Sequence, residues 1–137
     1  MIIGFLKEND EYEKRSMLLP EHVTQISKIG FKVLVENNYA EKLNIKDILY
    51  AENGAEIKSA NDISSNSDII VKISGKDLGS NNFKNGSIII MGFFDKSNEE
   101  LQKIKNEKKI EMFGLNYLPR ITRAQAMDVL SSQSNLA

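Results

Sequence analysis

The chain has 137 residues, of which 41% are hydrophobic and 27% charged, with a formal net charge of −1. That is room for one domain with a substantial core and an ordinary globular composition; the balanced charge, with no basic block, argues against nucleic acid as a partner. There is no cysteine, hence no disulfide framework, thiolate metal site or cysteine nucleophile. No apolar run has the length of a membrane span or a signal-peptide core, so the chain reads as soluble and intracellular.

Residues 2–6 (Ile-Ile-Gly-Phe-Leu) form a short apolar run, the pattern of a buried parallel strand. The charged stretch from Lys7 to Arg15 follows as loop. Pro20 marks a first helical position, Val23, Ile26 and Ile29 share one face, and Gly30 ends the helix. A second strand is expected over 32–36, loop over 37–44, a short helix over 45–53 closed by Gly54, a weak third strand over 55–58 and a helical turn or short helix over 60–67. The β-branched run 68–73 is a fourth strand, followed by a Gly/Asn-rich loop over 74–86 with one helical turn near Asp77. Residues 87–93 are the most apolar run and read as a central strand. A helix over 98–109 turns Leu101 and Ile104 inward, and a last strand runs from Ile110 to Asn116.

Strands alternating with helices predict an α/β, three-layer Rossmann- or flavodoxin-like domain around a mainly parallel sheet. In such a sheet ligands meet the loops at the carboxyl ends of the strands. The stretches Lys7–Arg15, Lys72–Lys76, Phe94–Ser97 and Tyr117–Asp128 all leave strand ends and are expected to share one rim.

The eight glycines never form G-x-G-x-x-G or G-x-x-x-x-G-K-[ST], so no usual pyrophosphate cradle is present. His22, the single histidine, has no second ligand at metal spacing and reads as a residue of a helix N-terminus; no metal is expected. A Ser–His–Asp reading through Ser131, His22 and Asp128 fails because no serine lies in a nucleophile-elbow pattern. On a helical wheel from Thr122, Gln125, Asp128, Ser132 and Asn135 fall on one side, with Ser131 at its edge, and Ala126, Val129, Leu130 and Ala137 fall on the other. Thr122 and Gln125 have capping-box spacing; a second placement keeps 120–128 as an ordered loop and starts the helix at Ser131 or Ser132. Both placements stand at the level of sequence. The run ends at Ala137 without a helix-stop signal, so the chain is expected to be part of a longer polypeptide.

The run PRITRAQAMDVLSSQSNLA, residues 119–137, closely resembles a signature segment of the alpha subunit of proton-translocating nicotinamide nucleotide transhydrogenase, its NAD(H)-binding component. Lys7, Glu8, Glu13, Arg15 and Pro20 also match the N-terminal pattern which that subunit shares with alanine dehydrogenase. The resemblance implies that Arg120, Gln125, Asp128 and Ser131 hold the nicotinamide end of NAD(H) and align it with NADP(H) on a partner domain. An amide and a carboxylate suit a carboxamide and ribose hydroxyls, and arginine suits phosphate. It further implies residues 1–118 as the N-terminal α/β domain. Residues 119–137 are then the nicotinamide-facing loop and the start of a helix to a cofactor domain lying beyond this chain. The implied partners are the remainder of the alpha subunit, the membrane and NADP-binding components, and a second copy in a homodimer. The implied location is cytoplasmic, peripheral to the inner membrane. Without the cofactor domain the segment is expected to bind NAD(H) weakly and to be inactive alone.

Two positions separate the transhydrogenase from its relative. Alanine dehydrogenases carry Lys-Val-Lys where this chain has Lys72-Ile73-Ser74, and an acid/base histidine where it has Asp95. Amino-acid deamination needs a cationic carboxylate anchor and a proton shuttle; hydride transfer between nicotinamide rings needs neither. The alternatives, an alanine dehydrogenase-like amino-acid dehydrogenase domain or a non-catalytic α/β module, therefore rank below it. For Arg15 a substrate-carboxylate clamp and a structural salt bridge are both open readings. Asn37-Asn38-Tyr39-Ala40 replaces the family's usual Gly-Ala-Gly, and Leu6 stands where many members have proline.

Overall fold

The computed structural model describes residues 1–9, 13, 15–76 and 78–117. Its six strands are β1 (Ile2–Phe5), β2 (Lys32–Glu36), β3 (Glu56–Lys58), β4 (Ile69–Ser74), β5 (Ile88–Phe93) and β6 (Glu111–Gly114). Four α-helices connect them: α1 (Pro20–Ile29), α2 (Asp47–Glu52), α3 (Ala60–Asn66) and α4 (Glu99–Lys108). Short 3-10 turns lie at Glu41–Leu43, Leu78–Ser80 and Leu115–Tyr117. The expected last strand therefore stops at Gly114. There the Asn116 side chain turns back to the main chain of Phe94, its Oδ1 accepting from the Phe94 amide and its Nδ2 donating to the Phe94 carbonyl.

The sheet order is β3-β2-β1-β4-β5-β6, and every neighbouring pair is parallel. Parallel strands need crossovers, and the crossovers bury both faces. On one face Val23 and Ile26 of α1 and Tyr50 of α2 pack against Ile3, Phe5, Val33, Val35, Ile69 and Val71. On the other, Ile63 of α3 and Leu101 of α4 pack against Leu34, Ile70, Ile89 and Met91. Alternation along β4 sends Ile69 and Val71 to the first face and Ile70 to the second, as the period of two requires. The result is the three-layer α/β architecture expected from the alternation of strand and helix patterns.

Local chemistry fixes the ends of α1. Pro20 opens the helix, the amide of Leu19 donates to His22 Nδ1 at 3.1 Å, and the His22 amide donates to the Leu19 carbonyl at 2.9 Å. Gly30 closes it at φ 112, a left-handed conformation that favours glycine. Val23 and Ile26 are fully buried, each worth about 1.5–3 kcal/mol of transfer free energy. At the amino edge of the sheet Asp68 accepts from the Ile2 amide at 2.8 Å and from Lys84 Nζ at 2.6 Å, tying the start of β1 to β4.

Gly4 lies in β1 directly beneath α3, where a β-carbon would collide with Ile63 Cγ2 and Ser67 Oγ. Both neighbours are fully buried and cannot move aside freely. Gly4→Ala is expected to cost about 1–3 kcal/mol by overpacking, read as a lower urea midpoint with an unchanged m-value.

Candidate functional site

Because all six strands are parallel, the loops after β1, β4, β5 and β6 emerge at one edge. The order places the switch point between β1 and β4: the connection after β1 leads to α1 on one face, whereas that after β4 puts Leu78 and Phe83 on the other. Glu8 sits at this point and is 8% exposed. Its Oε1 accepts from Lys72 Nζ at 3.0 Å and from the Ser74 amide at 2.9 Å; Oε2 accepts from the Ile73 amide at 2.9 Å. Lys72 is 3% exposed, in the middle of a strand whose other residues are mostly apolar. A lysine so deeply placed has to be paired.

The loop carrying Glu8 is knitted on its other side by charge. The Arg15 guanidinium donates from Nε to Glu13 Oε1 at 2.9 Å and from Nη2 to Oε2 at 2.8 Å, and the Arg15 amide also donates to Oε1. This fork holds the Glu13 carboxyl down at about 2, against an ordinary 4.5. Of the two open readings of Arg15, the geometry realises the structural salt bridge. Lys42 Nζ donates to the carbonyls of Glu8 and Glu13, and Lys7 Nζ pairs with Glu41 at 2.8 Å. Asn38 takes the left-handed conformation at φ 61 in the turn after β2, and both Asp47 carboxylate oxygens accept from its amide at 3.0 Å. Asparagine tolerates that conformation, which is how a turn without the family's glycines still closes. Behind it Tyr39 stacks edge-on against Phe5 and Tyr50, and burial pushes its phenol above the ordinary range.

Farther along the rim, Asn116 joins the ends of β5 and β6 through Phe94, while Tyr117 meets Phe94 edge-on and carries Lys96 Nζ 4.1 Å from its ring centre. Asp95, at the place where the resemblance expects the histidine of alanine dehydrogenases, accepts from both the amide and the hydroxyl of Ser97. Those bonds hold its carboxyl below the usual range, so it is a charged turn residue. Ser74 accepts from the Lys76 amide through its hydroxyl. Between these groups a cleft of about 230 Å³ is lined by Arg15, Ser16, Met17, Ile73, Gly92 and Phe93, with Phe93 exposed.

The described parts of the loops after β1, β4 and β5 thus share the expected rim. Arg120, Gln125, Asp128 and Ser131 lie outside the described residues, as does the choice between loop and helix for residues 120–130. Two features escaped the sequence reading: the Glu8–Lys72 pair and the Asn116 clip. The only signal for the first was a lysine inside the run Ile-Ile-Val-Lys-Ile.

Four outcomes follow from the charges. Glu8→Ala leaves Lys72 buried without its carboxylate and is expected to cost about 3–5 kcal/mol in denaturant unfolding. A Glu8→Met, Lys72→Met double variant, which in an ordinary buried pair is often neutral, should remain destabilised because the amides of Ile73 and Ser74 lose their acceptor. Glu13 has a depressed folded pKa, so its contribution to stability is complete above about 4.5 and is lost as pH falls toward about 2. Arg15→Ala should return the Glu13 carboxyl toward 4.5 in an NMR titration and remove that share of the acid sensitivity.

The family description "Alanine dehydrogenase/PNT, N-terminal domain" matches residues 4–137. NAD(P) transhydrogenase subunit alpha of Haemophilus influenzae is 37% identical over 138 residues, covering 100% of this chain and 27% of the relative. Its counterpart in Cereibacter sphaeroides is 33% identical over 139 residues, with the same coverage. The chain therefore spans about a quarter of the length of these relatives. The crystal structure of transhydrogenase from Sinorhizobium meliloti superposes with a TM-score of 0.77 at 33% identity, over 99% of this chain and 41% of that one. An L-alanine dehydrogenase shares the fold at a TM-score of 0.65 and 21% identity, over 77% of this chain and 30% of that one. With the six-stranded parallel sheet and a match running from β1 to the last residue, the chain belongs to the alanine dehydrogenase/PNT N-terminal domain family.

Proposed function

We propose that this chain is the N-terminal segment of the NAD(H)-binding alpha subunit of an NAD(P) transhydrogenase, in which hydride passes between NAD(H) and NADP(H) and is coupled to proton translocation. The observation that carries the reading is the rim. Ser74 and Asp95 stand where an amino-acid dehydrogenase of this family would need a lysine and a histidine, and Asp95 is held in its charged form by Ser97. A site that moves no substrate proton has no use for a group poised near neutral pKa. It needs instead to bring two rings into register and exclude water, which is positioning work. The names of the relatives, each the alpha subunit of an NAD(P) transhydrogenase, support the same reading.

Residues 1–118 in this reading are the scaffold and residues 119–137 the segment that meets the coenzyme before the chain passes on to a cofactor domain. The described rim suits this division: the switch point is filled by a carboxylate of the chain itself, and no glycine-rich turn offers a pyrophosphate cradle. The domain is then suited to the nicotinamide end only. Bound there, the nicotinamide ring supplies the hydride chemistry. Gln125 and Asp128 orient it through its carboxamide and ribose hydroxyls, Arg120 offers charge to phosphate, and Ser131 adds a further polar contact. NADP(H) is held by a partner component, a second copy completes a homodimer, and the assembly sits on the cytoplasmic side of the inner membrane. None of the described helices is long and apolar enough to cross a membrane, and peripheral attachment through partner subunits fits that.

In the complete protein with its partner subunits, Gln125→Ala together with Asp128→Ala is expected to lower hydride exchange about 100-fold, the loss typical of a misplaced reactant. The check is steady-state exchange between NADH and an NADP⁺ analogue, with near-ultraviolet circular dichroism to establish folding. Undiminished exchange in a folded double variant would refute the assignment.

A further inference from the structure

Doubly wound sheets receive their ligands outside the carboxyl ends of the strands, at the point where neighbouring crossovers leave on opposite faces. In this chain that point, between β1 and β4, is filled from within. The last partner of β1 in the ladder is Phe5 opposite Val71, and the Leu6 amide still reaches the Val71 carbonyl. β4 continues to Ser74, beyond the reach of β1. The amides of Ile73 and Ser74 and the Lys72 ammonium converge there, two neutral donors and one cation at 2.9–3.0 Å from the Glu8 carboxylate oxygens. That is the donor set an oxyanion requires. Glu8 and Lys72 are each more than nine-tenths buried, so the arrangement is built into the fold and is not a surface encounter.

We propose that Glu8 is a built-in anion, occupying the place where related sheets take a ligand's phosphate or carboxylate. With Glu8 present, the wild-type crevice is closed to external anions. With its side chain removed, the same three donors form a site for a small monocarboxylate such as formate or acetate. The inference is independent of the proposed function, because it concerns only residues of the scaffold.

Hydrogen–deuterium exchange of peptides spanning residues 69–76, in the full-length protein, tests it. In Glu8→Ala the amides of Ile73 and Ser74 should exchange about tenfold faster or more, the consequence of losing a charge-assisted acceptor. Sodium formate should slow them again in a saturable manner, whereas sodium chloride at equal ionic strength and neutral formamide should not. In the wild type neither formate nor inorganic phosphate should alter these amides. The proposal is overturned if formate acts no better than chloride or formamide on the variant, or if phosphate changes exchange at Ile73 and Ser74 in the wild type. Should Glu8→Ala purify unfolded, its refolding yield decides instead: a higher yield in formate than in chloride supports the built-in anion, and equal yields overturn it.

Discussion

The carboxylate of Glu8 is the constraint on which the edge of this sheet depends. A parallel sheet whose first strand stops short leaves the amides of a longer neighbour without partners, and buried amides without partners are costly. Here β1 ends while β4 continues, and a side chain three residues past the strand supplies the missing acceptor. The same carboxylate neutralises Lys72, so one group answers two needs of different kinds. Desolvating both charges costs several kcal/mol per ion, and the short charge-assisted bonds offset most of it. What remains is geometry: the loop after β1 is held against the end of β4, and with it everything that loop presents to the rim.

The two edges of the sheet are pinned differently. At the amino edge Asp68 binds the amide of Ile2 and the ammonium of Lys84 in a half-exposed position, where water screens the charge. At the carboxyl edge the pair is deeply buried. Around it the remaining described charges of the first loop are taken up locally: Glu13 by Arg15, Glu41 by Lys7, and two main-chain carbonyls by Lys42. The described charges of this loop thus serve first to hold the loop itself in place.

The elements could be read from the chain because their signals are local. Pro20 and Gly30 bracket α1, Gly54 follows α2, and the β-branched runs at 69–73 and 88–90 announce β4 and β5 without any tertiary knowledge. Parallel packing followed from the alternation of those runs with helices. The site was less legible. Glu8 and Lys72 are 64 residues apart, and a single sequence carries no record of which distant charges meet. Arg15 was open between two roles because both need the same guanidinium; the structure shows it paired with a carboxylate two residues away. Asn116 reads as an ordinary strand residue until β6 is seen to stop at Gly114, freeing its amide to clasp Phe94.

The turn residue Asp95 shows how a carboxylate at the rim is put to use in shaping a turn. A carboxylate at a rim is tuned toward neutral pKa by burial or by a neighbouring negative charge. Asp95 has neither influence dominating it: it is exposed, and two donors from Ser97 favour its charged form. At neutral pH it is a charged carboxylate. The hydrogen bonds that close the turn before α4 therefore also hold this carboxylate in its charged form, and the side chain is spent on the shape of the turn.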